Sequence, residues 1–406
     1  MTSVGSLRVL IAPDSFKGSL SSVEVARGLA DGWARARPGD ELILAPLADG
    51  GEGTLSAIAE SGGWEWMECP AHDPLLRPLT ARWLRSLDGK RGAMELAEAS
   101  GLSRLPRDEP RSPLAATTAG TGEILRAVLD AGVRHVMIGV GGSATTDGGA
   151  GLLRGLGARF GSSSGGSGTS GGSVVPRARL LGPVPDLGSV DLSGLDPRLE
   201  ELEVRVACDV TNPLLGEQGA AAIYGPQKGA WPQDVAALDA WLTRYADLLE
   251  EASGVRARDR AGAGAAGGAG FGLMCLEPRL RSFDLIPGVE LLMQETGFDE
   301  SLARADLVIT GEGQVDSQTA FGKTALGVAQ RAAAAGLPCF AVGGSVTLEG
   351  AAVMVGAGAV AVPVLDGPMT LGEAMDGASS LVVSAGERLA RIVELAGAAA
   401  MRQSRP

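Results

Sequence analysis

The chain has 406 residues, 61 of them glycine and 22 proline, and a formal net charge of −13, a length that accommodates two domains with substantial cores. Its acidic residues are dispersed rather than blocked, which argues against a nucleic-acid or anionic-membrane surface, and no apolar run reaches the roughly 18 residues of a membrane span. Cys69, Cys208, Cys275 and Cys339 are too far apart for a CxxC zinc site or a disulfide framework, and the opening residues lack a secretory signal, so a soluble cytoplasmic protein with buried thiols is expected.

The first strand, Leu7 to Ala12, breaks at Pro13-Asp14-Ser15-Phe16-Lys17-Gly18-Ser19, and Ser21 with Glu24 forms a capping box that opens a helix to about Arg37. A second strand, Glu41 to Pro46, feeds the loop Ala48-Asp49-Gly50-Gly51-Glu52-Gly53-Thr54 and a helix through Glu60. Trp64 to Cys69 reads as a strand and Pro78 to Ala97 as a β-hairpin around Asp88-Gly89, which interrupts the βα register and marks a domain boundary. The pattern resumes with a helix from Thr118 to about Asp130 and a strand, Val133 to Val140, that runs into a loop from Gly141 to Gly151 rich in hydroxyls and N–H donors. Residues 161–173 are a Gly/Ser tract with the composition of a flexible linker. Val204 to Cys208 is a strand followed by Asp209-Val210-Thr211-Asn212-Pro213, then Gly225 to Gly229 and a long amphipathic helix from Pro232 to about Glu251. The glycine-rich run 262–272 fits either disorder or close helix packing.

Asp306 to Thr310 is an apolar strand, Lys323 onward an Ala-rich helix, and Gly311 to Gly322 a polar loop between them. That is where open α/β sheets bind ligands. Glycines permit close backbone approach, and the following helix offers N–H groups and a positive dipole end, so an anionic ligand is expected. Gly322-Lys323-Thr324 ends like a P-loop, but the glycine that motif needs five residues earlier is Ser317. Gly311, Gly313 and Asp316 likewise lack the third glycine of a dinucleotide fingerprint. Strands at Cys339 to Val342 and Val360 to Val364 and a capping box at Thr370 and Glu373 return to the βα pattern of the first sixty residues. The expectation is therefore α/β: a parallel-sheet domain built from both chain ends (1–75 and 288–406) with a second α/β domain inserted (76–287).

Lys17, Lys90, Lys228 and Lys323 are the only lysines, and all but Lys90, which reads as surface, lie in glycine-flanked loops. A compact ammonium suits a single phosphate or carboxylate oxygen. His72 and His135 are the only histidines and read as core or surface residues, which leaves proton transfer to a carboxylate. Glycine-rich loops, loop lysines and loop carboxylates suit phosphoryl transfer, where a protein mostly positions groups and neutralises charge. Mg²⁺ keeps several waters, so one or two of Asp14, Asp49, Asp209 and Asp316 would suffice to hold it; Asp14 and Asp49 also stand where helix caps would.

PDSFKGSLSSVEVARGL, PLADGGEGT, GVGGSATTDGGAG, ACDVTNPLLG with GPQKGA, and ADLVITGEGQVDSQTAFGKTALGVA resemble, in order and across nearly the whole chain, the bacterial glycerate kinase family. The resemblance implies ATP-dependent phosphorylation of D-glycerate, usually to 2-phosphoglycerate, and two α/β domains, one of them Rossmann-like and formed from both chain ends. The matching positions are Asp14, Ser15 and Lys17; Asp49, Gly50, Gly51 and Glu52; Gly141, Gly142, Ser143 and Asp147; Asp209, Asn212 and Lys228; and Glu312, Asp316, Gln318 and Lys323. The sequence departs from the family at 161–173, where a short hairpin-like segment is usual. On this reading Asp316 activates the glycerate hydroxyl, Lys17 and Lys323 neutralise phosphate or carboxylate charge, and Asp209 or Asp14 helps to hold Mg²⁺. Which loops take nucleotide and which take glycerate stays open, as does a homo-oligomeric state. Transfer to the 3-hydroxyl, a non-catalytic hydroxy-acid binder and a nicotinamide-dependent reductase are the alternatives.

Overall fold

The first half of the chain forms strands β1 (Arg8–Pro13), β2 (Glu41–Leu44), β3 (Trp64–His72), β4 (Pro78–Ser86), β5 (Arg91–Glu95), β6 (His135–Gly139) and β7 (Arg159–Ser162). Strands β8 (Leu187–Asp191), β9 (Glu203–Ala207), β10 (Ser282–Ile286), β11 (Leu307–Val315), β12 (Cys339–Val346) and β13 (Ala359–Pro363) follow. The structure is a computed structural model that describes residues 5–106, 108–162, 187–317, 319 and 324–403. Two compact units emerge, one drawn from Met1–Asp49, Ser56–Gly62 and Val289–Pro406, the other from Gly50–Leu55 and Gly63–Gly288.

The first unit is a five-stranded parallel sheet in the order β13-β12-β11-β1-β2, so its two central strands come from opposite chain ends. Val9 to Ala12 are all fully buried, the continuous apolar run of a strand covered on both faces. Strand β11 runs five residues past the expected end at Thr310, because Glu312, Gln314 and Val315 pair with Gly343, Ser345 and Val346 of β12. The ligand loop therefore starts near Asp316 rather than at Gly311.

One face of this sheet is covered by helices Ser22–Ala36 and Ala378–Gln403. Their backbones touch: a β-carbon on Gly32 would overlap the Val383 carbonyl, and one on Gly386 the Leu29 carbonyl. Glycine costs about 1 kcal/mol relative to alanine in a helix, and here the contact requires it. Gly32→Val is expected to lower stability by about 1–3 kcal/mol through overpacking, read as a shift of the urea midpoint; an unchanged midpoint would mean that the helices do not meet backbone to backbone.

In the second unit the order is β10-β9-β6-β5-β4-β3, with β10, β9, β6 and β5 parallel and β4 and β3 antiparallel. Because β3 pairs with β4 along its whole length, from Trp64↔Ser86 to His72↔Pro78, it belongs to this sheet, and the boundary expected near residue 75 falls earlier. The glycine-rich run 262–272 is packed rather than disordered. It leads into helix Ala265–Met274, whose Phe271 meets Tyr245 edge-on beneath a Tyr245–Trp241 stack in the core. Gly161 and Ser162 of the Gly/Ser tract end β7, which pairs with β8; residues 163–173 lie outside the described residues. No helix among the described residues is long and apolar enough to cross a membrane.

Candidate functional site

In the first unit, the C-terminal ends of adjacent strands β1 and β11 bring Asp14 and Glu312 to the same edge of the sheet. Asp14 does not cap the following helix, since the Ser21/Glu24 capping box does so. Its carboxylate instead accepts from the Ser15 amide (2.6 Å) and from the Thr324 hydroxyl (2.7 Å), tying the β1 turn to the start of helix Thr324–Ala334. Glu312 is buried and accepts from Thr319 Oγ1 (2.6 Å), and that same hydroxyl accepts from the Asp316 amide (3.1 Å). The turn presenting the half-buried Asp316 is thus laced to the strand that precedes it.

Lys17 supplies the positive charge at this edge. Its ammonium lies 3.4 Å from Asp49, is mostly exposed, and is held above its ordinary pKa chiefly by Asp49, with further support from Asp14 and Glu312. Burial, with a smaller push from the Asp49 charge, raises the Asp14 pKa. Asp49 thus contacts the accessible Lys17 ammonium directly, and Asp14 and Glu312 lie close enough for their charges to act on it. Among the described residues no group of three or more His, Cys, Asp or Glu side chains is placed so that it could hold a metal ion. Gln318 and Lys323 lie outside the described residues.

The second unit builds its counterpart at the C-terminal ends of β5, β6 and β9. The Gly50-Gly51 backbone is pressed against these strand ends: the Gly141 amide donates to Gly50 O (3.1 Å), and a β-carbon on Gly50 would come within 2.6 Å of the Ala207 methyl. Only glycine fits at position 50, which explains the first glycine of GGEG in the motif PLADGGEGT. Glu52 follows, near the buried carboxyl of Glu95. Glu95 ends β5, accepts from the Leu55 amide at 2.7 Å, and has its pKa pushed up to about 7 by burial, with Glu98 and Glu52 adding repulsion.

The hairpin reading of Pro78 to Ala97 gave no hint of Glu95, because alternation shows that a side chain faces inward, not that a carboxyl is buried with two others nearby. Its native pKa lies above the ordinary 4.5, so the stability it contributes is present below pH 4.5 and lost as pH rises through about 7. Glu95→Gln should flatten that part of the stability profile in urea titrations between pH 4.5 and 7; an unchanged slope would mean that Glu95 ionises normally.

The Gly141–Gly151 loop spends most of its expected N–H donors on its own architecture. Gly141 donates to Gly50, Ala144 to Ser100 and Gly148 to Gly267. Asp147, almost fully buried, is the pin: its carboxylate accepts from the Thr117 and Thr118 hydroxyls and from the amides of Thr118, Gly149 and Gly151. Lys228 is buried too, donating to Ser143 Oγ (2.9 Å) and Thr145 O (2.6 Å), and burial lowers its pKa to about 7. It braces the Gly142–Ser143 turn from beneath instead of reaching into solvent.

Asp209 follows β9 and accepts from the Gly288 amide at 2.8 Å, at the start of helix Gly288–Thr296. The sequence places it far from any helix start, whereas the fold brings one to it. Asn212 is fixed between Gln218 O and the Tyr224 hydroxyl. His72 and His135 pair with Glu123 and Glu203. Cys69, Cys275 and Cys339 are buried, and Cys208 is half-buried. The site residues thus fall into two sets, Asp14, Ser15, Lys17, Asp49, Glu312 and Asp316 in the first unit, and Gly50, Gly51, Glu52, Gly141, Gly142, Ser143, Asp147, Asp209, Asn212 and Lys228 in the second. Thr319, Thr324 and Thr118, which orient the carboxylates, are absent from the sequence-based set because a lone threonine in a loop carries no pattern.

Comparison with known proteins agrees with this architecture. The sequence profile described as the Glycerate kinase family matches residues 9–394. A glycerate kinase of Halalkalibacterium halodurans is 41% identical over 382 residues, covering 94% of this chain and 97% of that protein. A glycerate 2-kinase of Escherichia coli (strain K12) is 42% identical over 347 residues, covering 84% of this chain and 86% of that protein. A crystal structure of a protein assigned as glycerate kinase 2 from Salmonella typhimurium LT2 superposes with a TM-score of 0.80 at 40% identity, covering 97% of this chain and 99% of that one.

Proposed function

The chain belongs to the glycerate kinase family, and from that premise we propose that it transfers the γ-phosphoryl group of ATP to the 2-hydroxyl of D-glycerate. That it is a kinase acting on glycerate follows from the family, so the hydroxy-acid binder and the nicotinamide-dependent reductase fall away. The choice of the 2-hydroxyl is supported by the similar Escherichia coli protein named as a glycerate 2-kinase. The observation that carries the chemistry is the exposed Lys17 ammonium among Asp14, Asp49 and Glu312, with Asp316 on a braced turn beyond β11.

In this reading Lys17 exchanges part of its contact with Asp49 for an oxygen of an incoming phosphate, which moves positive charge to where negative charge accumulates during transfer. Asp316 accepts the proton of the glycerate hydroxyl. Mg²⁺, required with ATP, would be held with the help of Asp14 or of Asp209 and would spread the charge of the phosphate oxygens. Gln318 and Lys323 belong to the same proposal as anion contacts. In the second unit Gly50, Gly51, Gly142 and Ser143 supply a close-fitting backbone surface, and Asp147, Asn212 and Lys228 keep it in shape. A cytoplasmic location is part of the proposal, since ATP is supplied there.

The test is a coupled assay with ATP, Mg²⁺ and D-glycerate followed by ³¹P and ¹³C NMR of the product. ATP-dependent formation of 2-phosphoglycerate is expected; 3-phosphoglycerate as the main product would overturn the positional assignment, and no ATP turnover would overturn the donor.

A further inference from the structure

Away from these loops, the second unit contains a cavity of about 620 Å³ walled by β3 and by helices Ala119–Asp130 and Ala150–Gly155. That size suits a small molecule. Cys69 and Leu76 contribute apolar wall, while Glu123, Arg126, Asp130 and Arg154 bring charge. The two signs are treated differently. Glu123 is occupied by His72 at 2.8 Å and Asp130 by Arg198 at 2.8 Å. Neither Arg126 nor Arg154 forms a short ion pair or hydrogen bond among the described residues, although Arg126 acts at longer range on Asp196 and Asp147 on Arg154. Arg154 is half-buried with its guanidinium 5.3 Å from the centre of the Phe160 ring, and desolvation lowers its pKa.

Arg154 is partly desolvated and stacked on Phe160 without a hydrogen-bonded partner, and with the exposed Arg126 it lines a cavity whose own carboxylates are already ion-paired, which leaves two guanidinium groups there for an anion. The planar fork of arginine fits phosphate and carboxylate alike. We propose that this cavity is a second binding site, for a small organic anion carrying a phosphate or carboxylate group, and that its occupancy changes the rate of the kinase reaction.

The route to the reaction is short. Helix Ala119–Asp130 is entered through Thr117 and Thr118, and helix Ala150–Gly155 through Gly149, and all of these, with Gly151, bond to the carboxylate of Asp147. Leu152 also donates to the Thr118 hydroxyl. An anion gripped by Arg126 on one helix and Arg154 on the other acts on both attachments of the Gly141–Asp147 loop, and it shifts activity to the extent that it binds one arrangement of that pair more tightly.

The experiment titrates the full-length protein, with ATP and glycerate saturating, with phosphoenolpyruvate as the phosphate-bearing probe and citrate as the carboxylate-bearing probe, by calorimetry and by steady-state rate. At least one probe should bind at millimolar concentration or below and change the rate non-competitively with respect to both substrates; which one does identifies the head group. Arg126→Gln, at an exposed position, should weaken that binding about tenfold or more and leave basal kcat and KM unchanged. Arg154→Lys keeps the charge but loses the fork and should weaken it as well. The proposal is overturned if neither probe binds, if the effect is competitive with glycerate or ATP, or if Arg126→Gln binds like the wild type. Because the readout is compared with unaltered basal turnover, its failure leaves the kinase assignment standing.

Discussion

Asp316→Asn is expected to cut kcat by about 10²–10⁴-fold while leaving KM for ATP and glycerate within a few-fold. The amide keeps the size of the side chain but cannot take up a proton at neutral pH, so the loss falls on the chemical step. The turn itself should survive, because it is held through main-chain atoms: the Asp316 amide donates to Thr319 Oγ1, the Thr319 amide donates to Asp316 O, and Thr319 Oγ1 donates to Glu312. Single-turnover kinetics with saturating substrates separate chemistry from binding. A variant retaining wild-type turnover would move the role of base to another carboxylate at this edge, Asp14 or Glu312.

The second large effect concerns folding. Asp147→Ala removes the shared acceptor of two hydroxyls and three amides, all buried around the start of helix Ala150–Gly155. Each buried donor left without a partner costs about 1–3 kcal/mol, so even with water entering the gap a destabilisation of at least about 3 kcal/mol is expected. Urea unfolding followed by far-UV circular dichroism measures it. Asp147→Asn, which keeps one oxygen acceptor, should lose clearly less. A loss below about 1 kcal/mol for the alanine variant would mean that the loop is held by its other contacts.

Features that arise within a few residues were legible in the sequence. The Ser21/Glu24 and Thr370/Glu373 capping boxes are both formed as their spacing requires, and Asp88-Gly89 turns the chain between β4 and β5. The parallel sheet assembled from both chain ends could be read from the return of βα periodicity after residue 300. What escaped depends on partners distant in sequence. Gly311 to Gln314 resembles a loop by composition, and only pairing with Val342 to Ser345 makes it strand. Asp209 and Gly288 are 79 residues apart, so no local rule announces that one meets the other. The glycine setting of Lys228 says nothing of its surroundings, and the packing around Ser143 and Thr145 encloses it. Glu95 and Asp147 show the same limit, since a carboxylate's letter in the sequence does not reveal whether water reaches it.

The pairing of β1 with β11 has a consequence for biosynthesis. Arg8 and its partner Asp306 are 298 residues apart, and a ribosome working at about 5–20 residues per second needs on the order of 15–60 seconds to cover that distance. For most of that interval the apolar segment Val9 to Ala12 is made with its β11 neighbour still unsynthesised, and by its end the second unit, ending at Gly288, has been synthesised. The N-terminal segment therefore waits through most of the chain's synthesis for its β11 neighbour, and is open to chaperone capture meanwhile.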